Sequence, residues 1–524
     1  MRAVNVVRSI LRRVEISSFS TRHQTRNKGL VVGAYENPDG EECTELSPLG
    51  QKIDDQSGGK IRNALNGLPA GIGKLGRVVT LTDLTSEFPQ IAVAGLGPKD
   101  ADFNQVEYLD EGKEFVRIAT GLGARELQKM GVTDIGVEGF NKADAAAEGA
   151  TLGVWYYTNK EVETKVSLQE GGDGEDWERG VTKADAQNLV RCLCETPPNY
   201  LTPRIFTIRA RDLLCPYGVQ VHARDIRWMK IHHFTSLLQL GASSVEPPMF
   251  LELNYCSDPI PTTKPYMFFA NGTTFNSGGL CVRKCRDMMR ADIAAAAVIL
   301  GVFKAVASMR LPINMRAFIP LYENMLSGTA MKSGDALRVK DSILRTENTQ
   351  NHSQILMAEA MTWAIPYYPP ELVFALGTLS RNIQDTVGFT SSVWARNDYV
   401  WDHVNYAGAV TGDRMWRYPL FLDYANKIRE RTDVDVNNLG IGRRGEPNLI
   451  AAFLNYFVEP SIDFTYIDVT GASDIANGYV PYLAADLYTG SPTRGIIQLL
   501  CHLNYCKEQV RAAAKKEYKS EVEN

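Results

Sequence analysis

The sequence predicts an α/β protein of two domains: a small N-terminal α/β domain, residues 29–180, and a larger C-terminal α/β/α domain, 181–524, with a mixed, largely parallel sheet. Three observations predict this. Short apolar runs of strand length alternate with helix-length patterns in both halves, the mark of parallel strands covered by helices. The 524 residues exceed one ordinary domain of ~100–200 residues. An acidic, glycine-rich stretch between the halves, 169–180 (QEGGDGEDWERG), reads as a linker or exposed loop.

In the first half, Leu30–Val32, Val78–Leu81 and Ile91–Ala94 read as strands, and Phe115, Ile118, Ala119 and Leu122 mark one helix face. Gly71-Ile72-Gly73-Lys74-Leu75-Gly76 matches a dinucleotide-binding pattern, but it precedes a strand and opens no helix, so it reads as a loop. Thr182-x-x-Asp185 resembles a capping box that opens the second half, with Leu189, Val190 and Leu193 inward. Beyond it, Tyr266–Ala270, Ile313–Leu321, Leu372–Leu376 and Tyr466–Val469 are strand-like, and Ala291–Met309 and Ser353–Ala364 helix-like. In such sheets ligands gather at the carboxyl ends of the strands.

Composition narrows the function. With Lys+Arg 56 against Asp+Glu 61 the net charge is -5, and no positive field gathers nucleic acid. The longest apolar run, Ile293–Phe303, is about half of the ~20 residues of a membrane span, so no span is expected. Nine cysteines, none in a CxxC pair, suit scattered buried thiols in a reducing compartment. Residues 1–28 carry seven basic residues and one acid, Glu15, with interspersed serines, and Val7, Ile10, Leu11 and Val14 share one helical face. That is the pattern of a mitochondrial transit segment, so a mitochondrial matrix location is expected. Its loss takes the net charge from -5 to about -11.

Several ordered blocks then carry a resemblance. They are Glu195-Thr196-Pro197-Pro198-Asn199 with Thr202-Pro203, Asn276-Ser277-Gly278-Gly279, Glu323-Asn324-Met325, Ser333-Gly334-Asp335 and Thr378-Leu379-Ser380. In order and spacing the chain resembles the leucine aminopeptidase (cytosol aminopeptidase) family, most of all from about residue 190 to 500. The resemblance implies a hexamer, and in the working enzymes two zinc or manganese ions sharing a hydroxide that attacks the first peptide bond.

The resemblance also implies where those ions would be held, and there this chain departs. The metal-binding Lys position is Asn271, the Asp of the first glycine block is Asn276, and the later Asp and Glu positions are Gln350 and His352. The two catalytic positions, Lys and Arg in the family, are Arg283 and Gln354; of five ligands only Asp292 is retained. Two +2 ions ~3.5 Å apart repel by about 19 kcal/mol at an effective dielectric near 20, so bridging carboxylates are required. Amides at 271, 276 and 350 do not supply them. Arg283 cannot replace a near-neutral acid, because guanidinium stays protonated.

These residues imply a catalytically inactive relative with a structural or assembly role and no resident cofactor, at most one weak metal at Asp292 and His352. It is most like the insect sperm leucyl-aminopeptidase group, abundant in sperm mitochondrial derivatives. Expected partners are copies of itself or paralogues in a mixed hexamer. The alternative is an active or residual metal-dependent aminopeptidase releasing residues such as N-terminal leucine.

Overall fold

The computed structural model describes residues 27–522 except 37–44, 67–70, 159–163, 259, 261–262, 283–289, 347, 351, 431–432 and 440–443. The chain divides into two units. The first holds the described residues up to Asn104, Asp110–Asp185 and Ala476–Asp486; the second holds Gln105–Leu109, Ala186–Ile475 and the described residues from Leu487. Most of the expected transit segment and Arg283 lie outside the described residues.

The first unit is a sheet of β1 (Lys28–Tyr35), β2 (Glu45–Leu46), β3 (Val78–Thr82), β4 (Gln90–Gly95), β5 (Asp134–Val137) and β6 (Lys165–Leu168), ordered β3-β4-β1-β5-β6 with β2 on β1. β1 runs parallel to β4 and β5, and Lys28 pairs with Asp134. Successive side chains of β1 feed opposite cores. Val31 packs toward α1 (Glu111–Lys129) and α2 (Ala143–Gly153), while Leu30 and Val32 pack with Leu49, Ile53 and Ile61. The 71–76 loop is a turn, as expected. A Cβ on Gly73 would lie 2.1 Å from the Tyr35 carbonyl, so this glycine serves close backbone packing.

One expectation fails at the join. The 169–180 stretch is not all loop, and Thr182 opens no helix: α3 runs Gly174–Glu195 without interruption. Its start is capped by Asp173, whose Oδ1 accepts from the Glu175 and Asp176 amides. Acids in a first turn suit the helix dipole, so the charge that looked like a linker is an N-terminus. Thr182 sits mid-helix and donates to Glu178 O. The expected domain break at 180/181 falls inside α3.

The second unit is a sheet of β7 (Gln220–Arg224), β8 (Met249–Cys256), β9 (Tyr266–Ala270), β10 (Gly272–Asn276), β11 (Asn314–Asn324), β12 (Leu372–Gly377), β13 (Ser391–Ala395), β14 (Met415–Arg417) and β15 (Asp463–Asp468). The order is β14-β13-β15-β12-β9-β11-β8-β7, with β10 beside the end of β11. The central strands β15, β12, β9 and β11 are parallel; β7, β8 and β13 pair antiparallel. β9 (YMFFA) is buried on both faces. Phe268 packs with α4 (Ala294–Ser308), and Met267 and Phe269 with α5 (Ser353–Tyr367). α6 (Asp398–Thr411), α7 (Glu446–Tyr456) and α8 (Thr493–Val522) complete the layers.

By length and composition Ala291–Ser308 is apolar enough to cross a membrane, which the Ile293–Phe303 run alone does not suggest. However, 83% of it is buried within the protein, as a core helix of such a sheet must be. No disulfide joins the described cysteines.

Candidate functional site

The carboxyl ends of β9, β10, β11 and β12 converge on one buried polar cluster. Strand β9 delivers Asn271, β10 ends on Asn276, β11 ends on Asn324, and Thr378 follows β12. Asp292 enters from the turn before α4 and is 4% exposed. The loop after Asn276 turns through Gly278 (φ 90°) and Gly279 (φ 57°), a left-handed path natural to glycine. A Cβ on Gly279 would meet Asn324 Oδ1 at 3.1 Å, so the loop approaches β11 closely, and the Ser277 amide and hydroxyl, donating to the Asn324 carbonyl at 2.9 and 2.8 Å, hold it there.

Asn276 is fully buried and uses both ends of its amide. Its Oδ1 accepts from the Gly278 amide (2.9 Å) and Asn324 Nδ2 (2.8 Å). Its Nδ2 donates to Asp292 Oδ2 (2.6 Å) and the Gln350 carbonyl (3.2 Å). Backbone groups fix this orientation: the Gly278 amide can only donate, and the Thr349 carbonyl that accepts from Asn324 Nδ2 at 2.8 Å can only accept. An N–H therefore faces the Asp292 carboxylate.

Asn271 is equally determined. Its Oδ1 accepts from the Thr378 amide (3.1 Å), and its Nδ2 donates to the Asp292 carbonyl and Thr378 Oγ1, both at 2.9 Å. The Thr378 loop is tied down in turn, since the Ser380 amide donates to the buried Asp468 carboxylate (3.1 Å) at the end of β15. Tyr466 and Thr470 hydroxyls also donate to Asp468.

The other positions turn elsewhere. Gln350 Nε2 donates to the Cys281 carbonyl (2.5 Å), so only its backbone joins the cluster. Gln354 is buried, with Nε2 on the Asn438 carbonyl (2.6 Å). His352 is 1% exposed; its Nε2 lies 2.9 Å from Thr346 Oγ1, and its Nδ1 has no hydrogen-bond partner among the described residues. Among the described residues, no three His, Cys, Asp or Glu ligand atoms gather around Asp292.

This donor set does not fit a pair of divalent ions. The Asn276 amide N–H donates to Asp292 Oδ2, a carboxylate oxygen that a cation would need, and the Asn271 amide N–H donates to the Asp292 backbone carbonyl, so neither amide offers its oxygen beside this carboxylate. Asn271 and Asn276 satisfy both ends of their amides within the cluster, and the Asp292 carboxylate accepts from the Asn276 amide.

His352 has a measurable consequence. Burial lowers its pKa to about 4 against the opposing influence of Asp335, so the ring is neutral at pH 7. In the unfolded chain the value returns to ~6.5, and between these limits the unfolded state binds more protons. This contribution to stability is complete above about pH 6.5 and is lost as pH falls toward 4. Urea titrations across that window are expected to show the natural chain losing up to ~3 kcal/mol more than His352→Gln. Glu359, whose carboxyl is raised to about 7 by burial, titrates in the opposite sense in both proteins and cancels in the difference. Parallel pH profiles would show that the ring is hydrated.

Asn324, Thr349 and Thr378 were not singled out as site residues from the sequence. Asn324 and Thr378 stand in recognisable blocks, but their shared role depends on strand register, which places both beside Asp292's neighbours.

Comparison with known proteins agrees with this architecture. Residues 188–497 match the cytosol aminopeptidase family catalytic domain, and 31–161 its N-terminal domain. The chain is 34% identical to the cytosol aminopeptidase of Xenopus tropicalis over 506 residues, covering 94% of this chain and 96% of the relative. The Homo sapiens cytosol aminopeptidase is also 34% identical over 508 residues, with the same coverages. Among solved structures, the bottromycin maturation enzyme BotP in complex with Mn superposes with TM-score 0.76 at 22% identity, covering 92% of this chain and 100% of that one. A tomato leucine aminopeptidase mutant gives 0.74 at 20% identity, covering 92% and 95%.

Proposed function

The chain belongs to the cytosol aminopeptidase family, and from that premise we propose that it is a catalytically inactive member retained for assembly. The observation that carries this reading is the Asn276 N–H placed 2.6 Å from Asp292, where the resemblance implies a second carboxylate. The working enzymes need a metal-activated hydroxide, and a pocket of amides around one carboxylate neither holds a metal pair nor lowers the pKa of a bound water. Family-like block order combined with altered site chemistry fits a chain kept for its fold and not for the reaction.

The assembly is a hexamer of this chain or a mixed one with active paralogues. Apolar side chains on the second unit suit such contacts: Trp416 on the edge strand β14 is 51% exposed, and Phe421 and Leu422 are 63% and 74% exposed. The basic, acid-poor N-terminus supports a mitochondrial location, and the resemblance to the sperm group supports packing inside sperm mitochondrial derivatives.

Leucyl-p-nitroanilide hydrolysis tests the catalytic half of the proposal. The purified full chain, supplied with zinc or manganese, is expected to match the buffer rate. Chelator-sensitive turnover abolished by Asp292→Ala would instead establish a residual peptidase at Asp292 and His352. Native mass measurement of complexes from the source tissue separates homomeric from mixed particles.

A further inference from the structure

We infer that the chain carries a zinc-class metal site between α6 and α8, formed by His403, His502 and Cys506. His502 and Cys506 are four residues apart on α8, so they share one helical face, and α6 presents His403 to that face. The Cys506 thiol lies 3.9 Å from His502 Nε2, and the two imidazole centroids are 4.9 Å apart. One ligand atom from each of the three lies within 4.8 Å of the others.

These distances match the chemistry. Ligands on one tetrahedral zinc, with Zn–N near 2.0–2.1 Å and Zn–S near 2.3 Å, stand ~3.3–3.6 Å apart. The ligand atoms, within 4.8 Å of one another, would draw together by about 1 Å around a bound ion. Two imidazoles and one thiolate are a borderline-soft set that favours zinc over magnesium or calcium and leaves a fourth position for water. All three residues are half-buried, accessible to an ion yet partly screened. Tyr399 packs edge-on to His403 at 4.4 Å and Tyr406 lies against His502 at 4.5 Å, which walls the cluster with aromatic rings.

The protonation states suit binding. Burial lowers the pKa of both imidazoles; the charge of His502 adds to this at His403, where Asp402 opposes it. Both rings are therefore neutral at pH 7, with a lone pair free to bind a metal. Binding converts the thiol to a thiolate and releases its proton to solvent.

The test uses the full chain, stripped of metal and titrated with Zn²⁺ against a chromophoric chelator, then with Co²⁺. One ion per chain is expected, with each of His403→Ala, His502→Ala and Cys506→Ser weakening binding at least ten-fold. The Co²⁺ complex is expected to show a thiolate charge-transfer band that Cys506→Ser removes. Zinc binding unchanged in all three variants, a cobalt complex without that band, or binding lost only in Asp292→Ala would overturn the assignment. Circular dichroism of each variant confirms that the helices persist, so a loss of binding reports the ligand.

Discussion

Asn276→Asp is expected to destabilise the folded chain by about 3–5 kcal/mol at pH 8, the penalty typical of a buried charge left without a partner. The substitution is nearly isosteric, so packing is unchanged. It replaces an N–H donor facing Asp292 Oδ2 at 2.6 Å and the Gln350 carbonyl at 3.2 Å with an acceptor facing two acceptors. Two adjacent carboxylates cannot both ionise cheaply, so one takes a raised pKa in the folded state. The sign follows: the penalty is absent where both states are protonated, below about pH 4, and grows as pH rises through the raised value. Added Zn²⁺ is expected to recover part of the loss, because an ion that binds only the folded state stabilises it. Chemical denaturation over a pH series measures all three effects. Unchanged stability at pH 8 would mean that a cation or water already separates residues 276 and 292.

Arg117→Ala is expected to cost a similar 3–5 kcal/mol, in the first unit. Arg117 Nε bonds Glu148 Oε2 at 2.7 Å and its Nη1 bonds Glu114 Oε2 at 2.9 Å, with the Arg117 and Glu148 side chains both fully buried. Truncation removes the 2.7 Å guanidinium contact from a carboxylate that stays in the interior, with Lys183 3.5 Å away. The close approach of α1 and α2 prevents collapse into the space: a Cβ on Gly149 would already lie 2.2 Å from the Arg117 carbonyl. Urea unfolding followed by far-ultraviolet dichroism provides the measurement. A loss below about 1 kcal/mol would show that water reaches Glu148 once the guanidinium is gone.

The strands were legible because buried parallel strands read as unbroken apolar runs. Leu30–Val32, Ile91–Ala94, Tyr266–Ala270 and Leu372–Leu376 each lie within a strand. The start of α3 was hidden because Gly171, Gly172 and Gly174 looked like a linker, while Asp173 was acting as a cap. At the site, the altered side chains at 271, 276, 350, 352 and 354 could be found by motif, but their hydrogen bonds could not. The turn of Gln350 toward Cys281, and the roles of Asn324 and Thr378, follow from register and loop path. The spacing of His502 and Cys506 is visible in the sequence, yet His403 joins them only through the packing of α6 on α8.

The central claim is that the pocket around Asp292 does not hold a metal pair. Its most direct test is elemental analysis of the full chain after exposure to zinc and manganese, in a His403→Ala, His502→Ala, Cys506→Ser background that removes all three α6–α8 ligands. The account predicts no more than trace metal per chain. Two ions per chain, both lost in Asp292→Ala, would contradict it.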